Sequence, residues 1–255
     1  MIKTILKRVA LVSCALSLAP LAVAQERGTG AASVLVTYSS PAAKRPAFLQ
    51  YLEREGLPQF DRWKADGIFK DYRVFVSSFS GSNTWDAMLV LDFAHYADMA
   101  RWKEIDRNAP GGLSATGLAL ASPTGTYLAD DIWHKEAPDR TPAKAVYFVI
   151  PYQYSSVGEY KAYAEAYVLP QYDGWMKERV LSAYTVYLSH HPAGKPWDAL
   201  AVLEYRDIEG LAQRELVKNK VRAALANNPE WMKASQNKEG KRTEEEITIA
   251  DLVRK

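Results

Sequence analysis

Apolar residues follow two different periods along the chain, and the periods alternate in the same order twice. Residues 33–38 and 145–150 are short runs of β-branched and aromatic residues, which are typical of β-strands. After each run the apolar positions recur at steps of three and four residues, over 48–63 and 160–175, which predicts a helix with one face on a core. A strand hairpin, a second helix and a final strand follow, so each half predicts the order β-α-β-β-α-β.

The two halves of the chain are copies of one unit, offset by 112 residues. Residues 51–93 align with 163–205 without a gap, and 15 of the 43 aligned pairs are identical. The motif LPQFDRW at 57–63 returns as LPQYDGW at 169–175, each at the end of a first helix that we expect to bend at its proline. Two long copies indicate a duplication, because a solenoid needs three or more short repeats.

The element order and the repeated motif resemble those of the dimeric α+β-barrel superfamily. Members of that superfamily pack two ferredoxin-like units sheet to sheet and so make a barrel. The resemblance implies an α+β fold in which both ferredoxin-like βαββαβ units lie in one chain, the first at 25–138 and the second at 139–255, as an intrachain α+β barrel. Such a chain would be a monomer or a homodimer.

The first 24 residues have the features of a cleaved secretory signal. A basic start with Lys3, Lys7 and Arg8 precedes an apolar run that ends in Ala-Val-Ala at 22–24. The run is too short to remain as a membrane anchor, so we expect an exported protein, periplasmic or secreted. A lipoprotein acylated at Cys14 is the alternative, and it is not favoured because few apolar residues precede that cysteine.

Removal of this signal changes the charge and the thiol content of the chain. The formal charge of +2 becomes about −1, because three basic residues leave with the signal. That balance gives no basis for nucleic-acid binding. The one cysteine also leaves, so the mature chain can have no disulfide, no thiolate metal site and no cysteine nucleophile. No later run is long and apolar enough to span a bilayer.

The resemblance implies a range of activities. The superfamily includes cofactor-independent monooxygenases, haem-degrading monooxygenases, chlorite-dismutase-like haem proteins and stress-responsive proteins. We expect first a protein that binds a small apolar or aromatic molecule and, if it is an enzyme, acts as a cofactor-independent monooxygenase or as an isomerase- or lyase-type enzyme. The alternatives are a haem-binding or haem-degrading protein, and a non-catalytic stress or interaction protein with a filled barrel. The chain lacks the serine-nucleophile, P-loop, dinucleotide-binding and HExxH motifs of other common enzymes.

The repeated motif supplies the first ligand-binding candidates. Gln59 and Trp63 are one helical turn apart, as are Gln171 and Trp175, so each pair shares a helix face. A carboxamide beside an indole can orient a ligand carbonyl and cover its ring. The alternative is structural, with each tryptophan in the core and each glutamine bonded near the proline. Trp102 lies on the second helix, where the resemblance implies an aromatic residue in the pocket, and core packing is again the alternative.

Alternation along the hairpin strands selects further candidates. The positions on either side of Arg73 and Phe75 are apolar in both copies, which predicts that they face the helices. Arg73, Phe75 and Tyr187 then face the barrel interior. A buried guanidinium must be paired or bind an anion. Asp130 and Asp251, on the final strands, are the partners we expect if the role of Arg73 is structural.

Four histidines are the only candidates for haem or metal ligation. The resemblance implies a proximal histidine on a helix against the barrel. His95, just before the second helix of the first copy, comes nearest to that position and is the haem candidate; otherwise we expect no cofactor. His190 and His191 are adjacent, and adjacent strand residues point to opposite faces, so we predict no metal site.

The two copies differ most after their second helices. The first copy has a loop of small residues at 108–125, whereas the second has a long charged helical stretch there. We therefore expect one half to keep an open mouth and the other to be capped. A single pocket per chain would follow from this asymmetry.

Overall fold

The computed structural model of the protein describes residues 30–81 and 84–253. The expected signal segment and Cys14 lie outside these ranges, so cleavage and acylation stay predictions. Within the described ranges, no helix is long and apolar enough to cross a membrane.

The first half has the predicted order β-α-β-β-α-β, with its first helix in two segments and an extra short helix before the final strand. Its elements are β1 (Ala32–Ser39), α1 (Arg45–Tyr51), a π-helical turn (Leu52–Gly56), α2 (Leu57–Ala65), β2 (Asp71–Ser77), β3 (Ala87–Phe93), α3 (Met99–Asn108), α4 (Ala115–Leu120) and β4 (Ser122–Glu136).

The second half repeats this order and adds a helix and a short strand before its final strand. These additions fall in the region after the second helix, where the sequence of the second copy differs most from that of the first. The elements are β5 (Val146–Gln153), α5 (Val157–Tyr163), a π-helical turn (Ala164–Val168), α6 (Leu169–Lys177), β6 (Leu181–Ser189), β7 (Ala199–Tyr205), α7 (Ile208–Ala212), α8 (Arg214–Leu225), α9 (Pro229–Gln236), β8 (Thr243–Glu244) and β9 (Thr248–Leu252).

Eight strands in the described ranges close into an antiparallel barrel. Their order is β7-β6-β4-β1-β3-β2-β9-β5, and β5 pairs with β7 to close the ring. Each half contributes four neighbouring strands, and the halves meet where β4 pairs with β6 and β2 with β9. The expected α+β barrel is confirmed at this level. Closure leaves no open sheet edge among these eight strands, while β8 pairs with β5 outside the ring.

The sequence predicted a bend at Pro58 and Pro170, and the structure has a π-helical turn immediately before each LPQ motif. The Leu57 N–H bonds to the Leu52 carbonyl, and the Leu169 N–H bonds to the Ala164 carbonyl, which are the five-residue steps of a π-helix. Each proline is the second residue of the next α-helical segment.

The two faces of the barrel strands have the orientation that alternation predicts. Phe75 and Tyr187 are fully buried in the barrel interior with apolar side chains of both halves. Val74 packs with the helices of the first half, and Val186 with those of the second. The interior of the barrel is therefore a packed core, and a ligand would bind on the helical side of the sheet.

Candidate functional site

A cleft of about 340 Å³ lies on the helical side of the first half. The first helix forms one wall, from the end of α1 through the π-helical turn into α2, and the loop after α3 forms the other. The volume is at the lower end of the range of small-molecule sites, roughly 300–1,000 Å³. The lining residues are Tyr51, Arg54, Glu55, Pro58, Gln59, Arg62, Trp63, Ala109, Gly112 and Ser114.

Gln59 and Trp63 both line the cleft, so the structure brings together the pair that the sequence placed on one helix face. Gln59 Oε1 accepts a hydrogen bond from Arg62 Nη2 at 2.6 Å, which orients the carboxamide. The Trp63 ring is half-buried and meets Trp102 edge-on, with the ring centroids 5.8 Å apart. The cleft therefore offers an aromatic surface next to an amide.

The π-helical turn adds charge to the same wall. Arg54 and Glu55 lie in the turn, and both line the cleft with exposed side chains. Because Pro58 donates no N–H, one carbonyl of the preceding turn lacks its helical donor. Turns of this kind are frequent at functional sites. Together with Arg62, these residues give the wall two guanidinium groups and one carboxylate, so the net charge of the wall is positive.

The opposite wall depends on a glycine and a tyrosine. Gly112 has a φ of +76°, and a Cβ there would lie 2.9 Å from ring atoms of both Phe60 and Trp102. Only glycine allows the loop to approach the aromatic core so closely. The Tyr51 hydroxyl accepts a hydrogen bond from the Ser114 N–H at 2.9 Å, which holds the end of the loop against the first helix.

Trp102 is a core residue behind this cleft. Only 3% of its surface is exposed, and it does not line the cleft. Its ring packs edge-on against Phe69 as well as Trp63, with centroids 6.3 Å and 5.8 Å away. The structure thus places Trp102 in the packing role that was the alternative in the sequence, where it supports Trp63.

The corresponding place in the second half is filled. Gln171, the counterpart of Gln59, is 4% exposed. Its Nε2 donates to the Tyr167 carbonyl at 2.8 Å, and its Oε1 accepts from Arg222 Nε at 2.7 Å. Trp231, from α9, stacks on the Tyr167 ring with centroids 5.1 Å apart. Gln171 is therefore a structural residue.

One pair of residues contributes to this difference between the halves. Gly174 of α6 corresponds to Arg62 of α2, and a Cβ on Gly174 would lie 2.3 Å from a Val221 methyl group. The glycine therefore lets α8 pack directly on α6, whereas an arginine at that position holds a neighbouring element away. In the first half α3 ends at Asn108 and a loop follows. The structure has the asymmetry that the sequence predicted.

Trp175, the counterpart of Trp63, is 4% exposed in the core of the second half. The Arg214 guanidinium lies over its ring at 5.6 Å from the centroid. Its buried indole N–H has no hydrogen-bond partner in the part of the chain that the structure describes. Trp175 therefore contributes packing and a cation–π contact.

Arg73 lies in the barrel interior, as predicted, with a different partner from those expected. Its Nη2 donates to Asp92 Oδ2 at 3.1 Å and to the Tyr187 hydroxyl at 2.5 Å. Asp130 instead bonds to His190, and Asp251 to Ser78. The expected partners were wrong because of register: β9 is also next to β2, but it places Asp251 opposite Val76, three residues from Arg73, whereas Asp92 is two residues along β3 from the partner of Arg73.

The sequence reasoning missed a buried carboxylate, Glu204, which corresponds to Asp92. Glu204 is 2% exposed and accepts hydrogen bonds from Arg140 Nε at 2.8 Å and Nη2 at 2.6 Å. The Ser182 and Tyr147 hydroxyls donate to it at 2.8 Å and 3.0 Å. Burial raises the pKa of Glu204, but these donors outweigh burial and hold the pKa below its ordinary value. The sequence does contain a signal for this site, because both copies have an acidic residue at the same interior-facing strand position.

These two carboxylates lie at one end of the barrel. Neighbouring strands run antiparallel, and three strands separate β3 from β7 in the ring, so β3 and β7 run in the same direction. Asp92 and Glu204 are both near the carboxyl ends of those strands. The arginine that pairs with each carboxylate is at the same end, which makes this mouth of the barrel a network of ion pairs.

A shallower groove of about 280 Å³ lies beside β2. The Tyr72 hydroxyl there donates to Asp61 at 2.6 Å, and burial together with this bond raises the pKa of Tyr72. Arg73 lines the groove but is held by Asp92 and Tyr187, which satisfies the structural alternative for this residue. The groove is lined by Leu57, Asp61, Tyr72, Arg73, Val74, Leu252 and Val253.

Three of the four histidines form local hydrogen bonds in the described ranges. His95 is exposed, and its side chain accepts the Asp98 N–H in a capping box before α3. His134 bonds to Thr185 Oγ1 at 2.8 Å, and His190 bonds to Asp130 at 2.5 Å. No group of three metal-ligating side chains occurs among the residues described.

The fold is shared with solved structures of chlorite dismutase-like and monooxygenase-like proteins. No protein-family model matches the chain, and no curated protein matches it.

Three solved structures illustrate the likeness. An anthrone oxidase-like protein has a TM-score of 0.55 at 7% identity, over 90% of this chain and 93% of that one. A chlorite dismutase variant from Candidatus Nitrospira defluvii, in complex with cyanide, has a TM-score of 0.53 at 10% identity, over 89% and 92%. A candidate monooxygenase from Lactobacillus acidophilus NCFM has a TM-score of 0.51 at 9% identity, over 88% and 94%. At these identities the likeness establishes the fold alone.

Proposed function

We propose that the protein is an exported pair of fused ferredoxin-like units that binds a small flat aromatic molecule in the cleft of its first half. The observation that carries the proposal is the difference between the halves. The same helix, π-helical turn and LPQ motif frame an open cleft in the first half and a filled one in the second. Arg62 replaces the close-packing glycine of the second half, which keeps the cleft accessible.

The side chains of the cleft suit a ligand that becomes an enolate. The face of Trp63 covers an aromatic ring, and the guanidinium groups of Arg54 and Arg62 stabilise negative charge on a carbonyl oxygen. The carboxylate of Glu55 is the one acidic group in the lining, and it can take a proton from a carbon next to that carbonyl. The arrangement supports oxidation of an acidic aromatic ketone by O₂ without a bound cofactor.

The reaction we propose converts an activated CH₂ group to a carbonyl. Glu55 removes one proton, and the resulting carbanion forms a C–O bond with O₂. Glu55 returns the proton to the peroxide, the second C–H proton is lost and the O–O bond breaks to release water. One oxygen atom of O₂ ends in the new carbonyl and the other in water, so the four electrons lost by carbon are gained by O₂.

Oxygen consumption with 9-anthrone as the probe tests this activity. We expect the wild-type protein to consume one O₂ per anthraquinone formed, and Glu55→Gln to lower the rate by roughly 10²-fold or more, because the proton acceptor is lost. An oxygen electrode and absorbance of the quinone measure the two quantities.

Glu53→Gln is the matched control, because Glu53 is exposed in the same π-helical turn but does not line the cleft. Its rate should equal that of the wild-type protein. Equal rates for Glu55→Gln and wild type would remove Glu55 from the mechanism. Tight binding of anthrone with no oxygen consumption would favour the non-catalytic alternative, a binding protein with a filled barrel.

Export rests on the basic, apolar and small-residue order of residues 1–24. We expect the protein purified from the periplasm or medium of its host to begin at Gln25. Intact-mass measurement checks this, and a chain that retains residue 1 and stays in the cytoplasm would contradict it. An acylated Cys14 as the first residue would show the lipoprotein alternative.

A further inference from the structure

We propose that Trp231 in the second half occupies the place that a ligand takes in the first half, and that the ligand is therefore a flat anionic aromatic molecule with a hydrogen-bond donor on its ring system. The donor would bond to the main-chain carbonyl of Glu55. This inference rests on the cleft being a binding site, and it adds the chemical class of the ligand.

The equivalence of the two places follows from the repeat. Glu55 and Tyr167 are 112 residues apart and occupy the same position in the two π-helical turns. The LPQ motif follows each turn at the same distance. A group that contacts the π-helical turn in one half therefore has a defined counterpart position in the other.

Trp231 is held in its place by its own helix. Asn228 caps α9, and its Oδ1 accepts the backbone N–H groups of Glu230 at 3.0 Å and Trp231 at 3.2 Å. The indole is 4% exposed and lies nearly parallel to the Tyr167 ring, with an interplanar angle of 22°. Its Nε1–H donates to the Tyr167 carbonyl at 3.1 Å. The second half thus has an aromatic ring and a donor against the π-helical turn.

Two rings of the second half have no counterpart in the first. Glu55 replaces Tyr167, so the ring on which Trp231 stacks is absent, and α4, the helix before β4, has no aromatic residue. The space that these rings fill in the second half corresponds to the open cleft. A molecule of two or more fused rings matches that space better than a single ring does.

The carbonyl of the π-helical turn has capacity for a ligand donor. In the second half the Tyr167 carbonyl accepts both the indole of Trp231 and Nε2 of Gln171. In the first half the carboxamide oxygen of Gln59 bonds to Arg62. A carbonyl oxygen has two lone pairs, so a ring N–H or O–H of a ligand can bond to Glu55 as Trp231 does to Tyr167.

Charge distinguishes the ligand from an indole alone. Arg54 and Arg62 line the open cleft, and their counterparts Ala166 and Gly174 carry no charge. In the second half the occupant is the indole of Trp231, which is neutral and needs no cationic partner. The two guanidinium groups of the first half therefore select an acidic substituent, such as a carboxylate or a phenolate.

Isothermal titration of the wild-type protein with three probes tests the inference. We expect indole-3-carboxylate to bind with one molecule per chain. Unsubstituted indole should bind about 5-fold or more weakly, because it lacks the anion. Naphthalene-2-carboxylate should also bind about 5-fold more weakly, because it lacks the ring N–H. Equal affinity for all three probes, or no binding of any, would overturn the inference.

Two variants locate the site. Arg62→Met should remove the preference for the carboxylate over indole, whereas Lys64→Met, an exposed cation of α2 outside the lining, should keep it. Trp231→Ala should add a second site that prefers neutral indole, so that indole binds with two molecules per chain. If Trp231→Ala fails to fold, Trp231→Phe, which keeps the ring and loses the N–H, should fold and bind one molecule per chain.

The outcomes separate this inference from the proposed activity. Turnover of 9-anthrone without selectivity among the three probes would refute the ligand class and keep the oxidation. Selective binding of indole-3-carboxylate without oxygen consumption would support the ligand class and refute the oxidation. Binding of the carboxylate that is unchanged in Arg62→Met would place the anion outside the cleft and contradict the inference.

Discussion

Glu204→Ala is expected to lower the free energy of unfolding by about 3–5 kcal/mol, because the buried hydroxyls of Ser182 and Tyr147 and the partly buried guanidinium of Arg140 all lose this acceptor. Glu204 is 2% exposed and holds Arg140 through two hydrogen bonds, while Ser182 and Tyr147 donate to its remaining lone pairs. Urea unfolding at pH 7 measures the loss. Four donors lose their acceptor at once, so this is the largest single effect that we expect in the barrel.

Asp92→Ala is the matched control at the counterpart position. The two arginines are equally exposed, but the Asp92 side chain is 28% exposed and that of Glu204 only 3%, so water can replace part of the contact that Asp92 loses. We expect a smaller loss for Asp92→Ala than for Glu204→Ala. Equal losses would mean that burial does not set the cost of breaking these pairs.

The same residue gives the stability a defined pH dependence. The pKa of Glu204 in the folded state is below its ordinary value of 4.5, so its contribution is present above that pH and is lost as the pH falls through and below it. Glu204→Gln should therefore flatten the decline of the unfolding free energy on the acidic side. Parallel acid limbs for the wild-type protein and Glu204→Gln would show that other carboxylates cause the decline.

Trp102→Ala is expected to lower the free energy of unfolding by about 3–5 kcal/mol, because it leaves a cavity in the core behind the cleft. Trp102 is 3% exposed and packs edge-on against Trp63 and Phe69. Gly112 approaches its ring so closely that the loop on the far wall also rests on it. Thermal or urea unfolding measures this effect.

Trp63→Ala is the comparison for Trp102→Ala, since Trp63 is only half-buried and lines the cleft. It should cost less stability and weaken ligand binding more. The opposite order, with Trp63→Ala the more destabilising variant, would contradict the assignment of Trp102 to the core and Trp63 to the site.

The sequence predicted the elements well because their signals are local. The β-branched runs and the three- and four-residue steps depend on backbone geometry within one element. Alternation placed Phe75 and Tyr187 inside the barrel for the same reason, since side chains of a strand point to opposite faces in turn. The shared face of Gln59 and Trp63 followed from one helical turn.

The sequence was less informative wherever a partner lies far away in the chain. Arg73 pairs with Asp92 on β3, whereas β9, which also adjoins β2, places Asp251 opposite Val76 and so on the other face of the sheet. His95 lies where a haem ligand was expected, but its side chain accepts a backbone hydrogen bond in the capping box before α3. Gln171 corresponds to Gln59 in the repeat but has a different role, because Arg222 bonds to its side chain and Trp231 fills the adjacent space.

The sequence by itself determined the repeated unit, the order of its elements and the faces of its strands and helices, because these depend on periods within short segments. Only the tertiary structure decided which copy keeps an open cleft and which carboxylate meets which arginine. Both depend on contacts between residues that are far apart in the sequence, such as Val221 with Gly174 and Arg140 with Glu204. A glycine in one copy and an arginine in the other become interpretable only when the helix that packs there is known.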